Sequence, residues 1–116
     1  MNEAGVLLLA ATDVGVPLQV PGFSLHVELG RLVEAGLTPL EALQTATLNP
    51  AGVLDMADSL GTIQPSRLAD LVLLDANPVE DIRNTQLIHA VVADGRLCRP
   101  RDLDGLLAGL KAVSQY

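Results

Sequence analysis

An unbroken apolar run, Val6 to Ala11, ends after Thr12 on a bare carboxylate, Asp13, with Gly5 before it and Gly15 just beyond. No polar alternation breaks it, so the run predicts a strand covered on both faces, residues 5–12. A buried strand that ends in an acid places that acid at the rim of a sheet or barrel, where catalytic and metal-binding groups sit. An acid before a glycine also starts a turn by bonding its own backbone. Both readings of Asp13 stand at this level.

The next stretch, residues 14–22, carries two prolines and two glycines and predicts a loop. It lacks the Lys and Ser/Thr of a phosphate-binding loop. A helix follows, with Ser24 as its cap, Leu25, Leu29, Leu32 and Val33 as its apolar face, and Gly36 as its stop. Thr38, Pro39 and Glu41 restart a helix with a capping box and a first-turn proline, and Leu40, Leu43 and Ala46 form its stripe. Asn49-Pro50 ends it, and a short third helix is expected over 51–56.

The period then changes. Gly61-Thr62-Ile63 reads as strand, residues 64–67 as a turn, and residues 69–75 as a second buried strand. Asn77-Pro78 turns the chain and residues 79–83 form one helical turn. A third strand runs over 87–93, and Asp94-Gly95 is a hairpin signal leading to a return strand over 96–99. From Asp102 onward, Leu103, Leu106, Leu107 and Leu110 mark a closing helix. Strands this apolar need partners, and the chain offers few; unpaired edges favour association. A homo-oligomer joined through those edges is expected.

Net charge excludes whole classes of partner. Seven basic residues against fourteen acidic give −7, which disfavours nucleic acid and anionic membrane surfaces. The first apolar run has no basic residue before it and is too short to span a bilayer, so a cytoplasmic location is the default. Cys98 is the single cysteine, so no disulfide forms within the chain.

Several motifs together resemble the C-terminal segment of metal-dependent amidohydrolases, nearest to imidazolonepropionase-like and prolidase-like members. Ala11-Thr12-Asp13 resembles the Gly-Thr-Asp that closes the eighth barrel strand. Gly22 to Leu29 (GFSLHVEL) resembles the helix after it. Residues 35–43 and 45–51 resemble the paired helices that follow. Gly61 to Pro65, Ala69 to Val72, Asn77-Pro78, Asp81-Ile82, Asn84 and Val91 to Gly95 resemble the small β domain. Ala11 and Ser66 each stand where the family has glycine.

The resemblance implies an α/β fragment of a (β/α)8 fold. It would hold the last barrel strand and its helices in residues 1–58, and the C-terminal strands and closing helix in residues 59–116. It implies hydrolysis of a C–N bond in a cyclic amide or a dipeptide, with a divalent metal, zinc, in full-length members. Asp13 matches the aspartate that contacts metal and serves as general base, with Thr12 and His26 as supporting or substrate-contacting residues. The family's His-x-His on the first strand, its carbamylated lysine or glutamate mid-barrel and its two further histidines have no counterpart here. The isolated chain is therefore expected to hold no metal and to be inactive, needing a barrel portion from elsewhere. The alternative is a stand-alone, self-associating or protein-binding domain without catalysis. His89 and Cys98 could form a metal pair across the hairpin, but a sheet-face histidine and a buried small hydrophobe explain them. Glu28, Glu34 and Glu41 read as solvated helix faces, and Asp70, Asp75, Asp81 and Asp94 as turn residues.

Overall fold

The computed structural model describes residues 5–13 and 22–113. Most of the expected loop over 14–22 lies outside them. The order is α1 (Ser24–Glu34), α2 (Pro39–Ala46), α3 (Leu48–Val53), β1 (Leu71–Leu74), a 3-10 helix (Ile82–Gln86), β2 (Ile88–Ala93), β3 (Arg96–Cys98) and α4 (Pro100–Val113). No helix among the described residues is long and apolar enough to cross a membrane.

Local signals set the helix boundaries. Gly36, at φ +107°, closes α1: its N–H donates to Val33 O and that of Leu37 to Leu32 O. This paired pattern needs a left-handed residue after the helix, which glycine adopts without a steric penalty. Thr38 and Glu41 form the expected capping box on α2, with Pro39 in the first turn. The α1 start differs from expectation: Phe23 holds the N-cap position with no side-chain bond, and Ser24 is the first helical residue. Asn49-Pro50 does not end a helix either. It lies in the first turn of α3, where a missing N–H has no intrahelical partner to lose.

The core lies between the helices and the 3-10 helix. Leu29, Ala42 and Ile82 are buried together, with Ala10, Leu32, Val33, Leu43 and Ala46 packed around them. On α2 the buried positions are Ala42 and Thr45, while Leu40 is exposed. Of the expected stripe, Leu43 and Ala46 do pack against the core, and only Leu40 departs from it. Thr45 satisfies its own hydroxyl by donating to Ala42 O at 2.6 Å.

Two expected strands are corrected. Residues 6–12 take no regular secondary structure and join no sheet, Gly5 is in a turn, and Val6, Leu7 and Leu9 are exposed. No strand among the described residues lies beside them; the segment is held against helices instead. Gly61 and Thr62 form a bend, and Ile63 joins no strand. Gly61 has φ +85°, and a Cβ there would lie 3.0 Å from both Ala51 Cβ and Leu48 Cα. Close packing on α3, rather than pairing, sets its conformation.

The sheet has the order β1-β2-β3, antiparallel throughout. Leu71 faces Val92 and Leu73 faces Ala90, but Leu74 faces Ile88, so His89 is the extra residue of a bulge. Asp94 and Gly95, at φ +50° and +71°, make the hairpin turn expected of this pair. β1 is not buried as expected: Val72 and Leu73 are both exposed. Three strands present two faces, and the described elements do not cover them fully. The helical turn expected over 79–83 forms later, as the 3-10 helix, with Asp81 at its N-cap accepting from Arg83 N–H at 2.9 Å.

Candidate functional site

The segment leading to Asp13 is clamped by three long-range bonds. Asn49 Nδ2 donates to Leu8 O at 2.9 Å, Ala10 N–H donates to Thr45 O at 2.9 Å, and Ala11 N–H donates to Glu28 Oε1 at 2.8 Å. Each comes from a different helix, so α1, α2 and α3 jointly fix the segment's height. Beyond the clamp Thr12 is half-buried and Asp13 exposed. Asp13 takes φ +47°, a left-handed conformation that aspartate adopts more readily than most residues. The backbone therefore turns at the acid and leaves its carboxylate open to solvent.

Glu28 is the residue the sequence reading missed. It is half-buried rather than solvated, and its Oε2 is buried with no hydrogen-bond partner among the described residues. A signal was present: Glu28 falls between Leu25 and Leu32 at helical spacing, on the apolar stripe of α1. A charged residue at such a position has to answer a polar group, and here that group is the Ala11 amide.

His26 points elsewhere. Its Nδ1 lies 3.0 Å from Thr85 Oγ1 of the 3-10 helix, 59 positions along the chain. Residues two apart on a helix project about 200° from each other, so Glu28 meets the Asp13 segment and His26 does not share its face. Burial lowers the His26 pKa below its ordinary value by disfavouring the imidazolium. Thr85, buried at 6% exposure, is a second such residue, and no pattern in the sequence singles it out.

The remaining candidates are structural. His89 Nδ1 meets Asp75 Oδ1 at 2.8 Å, with both side chains well exposed. Cys98 faces Val91, one pair further along the sheet. Asp70 Oδ1 accepts from Asp94 N–H at 2.7 Å and ties the hairpin turn to the start of β1. The Arg83 guanidinium beside Asp81 holds that carboxyl below its usual range.

A metal site needs a convergent donor set, about three protein ligands for an open catalytic zinc. Among the described residues no three of His, Cys, Asp and Glu come together in this way. Asp13 supplies one carboxylate, and Glu28 is already engaged by an amide. These residues alone do not fit a metal centre.

The Amidohydrolase family matches residues 1–98 of the chain. Ochratoxinase from Aspergillus niger is 38% identical over 91 residues, covering 77% of this chain and 18% of that protein. Adenine deaminase 2 from Rhizobium meliloti is 52% identical over 67 residues, covering 58% of this chain and 10% of that protein. Among solved structures, a Bifidobacterium longum protein described as a prolidase superposes with a TM-score of 0.76 at 35% identity, covering 93% of this chain and 28% of the other. The chain thus spans less than a third of the length of each.

Proposed function

This chain belongs to the amidohydrolase family, whose members generally bind divalent metals, and on that premise we propose that it is the C-terminal part of a metal-dependent hydrolase of C–N bonds. Residues 1–58 would carry the last barrel strand and its helices, and residues 59–116 the end of the small β domain and the closing helix. The two parts would form one compact unit: Leu29 packs with Ile82, and His26 meets Thr85, across that boundary.

The observation that carries this reading is the clamp. Three helices fix residues 8–11 and deliver an exposed carboxylate just past the fixed point. Asp13 would act as general base, taking a proton from the attacking water and passing it to the leaving nitrogen. It would also be one ligand of a metal, zinc, whose other ligands this chain does not supply. Thr12 and His26 would support the site. The substrate would be a cyclic amide or a dipeptide, and the similarity to a prolidase favours the dipeptide.

The test is a chimera in which this chain replaces the matching segment of the Bifidobacterium longum protein, assayed on proline dipeptides. The chimera should hydrolyse them and the isolated chain should not. Asp13→Asn in the chimera should lower kcat by about 100-fold or more, the scale of a lost general base. A folded chimera whose activity is indifferent to that substitution overturns the assignment.

A second reading is a stand-alone domain that self-associates or binds another protein without catalysis. It is favoured by the exposed apolar residues Val6, Leu7 and Leu9 and by Val72, Leu73 and Leu97 on the sheet. Homo-oligomerisation through the free edges fits either reading. Sedimentation equilibrium of the isolated chain separates them in part: a monomer at tens of micromolar would remove the self-associating form.

A further inference from the structure

Thr85 decides which nitrogen of His26 carries the proton. The Thr85 hydroxyl lies 2.8 Å from Ile82 O, and a carbonyl oxygen only accepts, so the single hydroxyl proton goes there. His26 Nδ1 lies 3.0 Å from the same Oγ1. With its proton spent on Ile82, Oγ1 has lone pairs alone to offer the ring. Nδ1 must therefore be the donor. In a neutral imidazole one nitrogen donates and the other keeps its lone pair, so the lone pair falls on Nε2.

We infer that Thr85 is a positioning residue that locks His26 as the Nδ1–H tautomer and so makes Nε2 a fixed acceptor, suited to an N–H or O–H group and unable to donate to a carbonyl oxygen. Nε2 has no hydrogen-bond partner among the described residues. It is not sealed away either: the buried, unpartnered side-chain atoms there are Glu28 Oε2 and Thr62 Oγ1. The opposite tautomer would turn the hydroxyl toward the ring and give up its bond to Ile82 O, leaving one hydrogen bond where the Nδ1–H form makes two. Burial of the ring also favours the neutral form in which the tautomer has meaning. The lock itself depends only on this chain's atoms; a substrate or partner group as the donor rests on the proposed hydrolase reading.

The test is a long-range proton–nitrogen correlation spectrum of the full chain labelled with nitrogen-15, recorded above pH 7. His89→Gln identifies the signals of His26. The expected result is a protonated Nδ1 and a bare Nε2. Thr85→Val should abolish that preference and bring up the Nε2–H form, and Thr85→Ser should restore it. An Nε2–H tautomer in the unaltered chain overturns the inference, and so does an unchanged spectrum in a folded Thr85→Val. Should Thr85→Val fail to fold, the unaltered chain and Thr85→Ser still decide the matter. The spectrum needs no catalysis, so a failed chimera and a failed tautomer are separate results.

Discussion

The helices α1 to α3 and the sheet β1 to β3 are both rich in Leu, Val and Ala, yet they hide those residues unequally. The helices bury Leu29, Ala42 and Ala51, whereas the only fully buried residue of the sheet is Ala90. Geometry explains the contrast. A helix needs cover along one stripe, and α1 and α2 cover each other while the 3-10 helix closes the third side. A sheet of this composition is apolar on both faces. Leu71, Leu73, Ala90, Val92 and Leu97 share one face, and Val72, Val91 and Cys98 the other. The described elements leave Val72, Leu73 and Leu97 in contact with solvent. A residue's hydrophobicity thus states a demand for cover, and tertiary structure decides whether the demand is met.

The sharpest way to break this comparison is to truncate one leucine from each region. Leu29→Ala should cost about 2–5 kcal/mol through the cavity it opens, while Leu97→Ala, at 53% exposure, should stay within about 0.5 kcal/mol. Urea unfolding of the two variants measures both. An equal cost would mean that something covers Leu97 in solution, as a self-associated form would.

Gly61→Ala tests the joint between the regions. The substitution combines a left-handed backbone with a Cβ pressed 3.0 Å from α3, and should cost about 2–3 kcal/mol. A smaller loss in thermal unfolding would mean that the bend moves away from α3 freely. The mildest change works in the other direction. Ser66 holds φ +69° in the turn before β1, so Ser66→Gly should raise stability by about 1 kcal/mol. A neutral or negative effect would place the turn in another conformation.

What could be read from the sequence followed the range of the interactions. The capping box at Thr38, the glycine stop at Gly36 and the Asp94-Gly95 hairpin each close within a few residues. Their chemistry is complete in a short window and is legible there. The apolar run before Asp13 was legible as an element but not as its surroundings. It reads as a strand buried on two sides, and it is an irregular segment pinned by polar groups from helices far along the chain. Ser66 marks the same boundary from the other side: its place in a turn that usually holds glycine was visible, and its left-handed backbone follows from that place.

The site divides in the same way. Sequence by itself determined that Asp13 ends an apolar run beside a turn, that His26 and Glu28 share the first helix, and that the chain carries the family's C-terminal motifs. Tertiary structure alone decided that Glu28, 17 positions from Ala11, holds the backbone leading to Asp13, and that His26 answers Thr85, 59 positions away. The reason is physical. Helical spacing fixes the angle between two side chains on one helix, but which polar group waits at each angle depends on how distant segments pack.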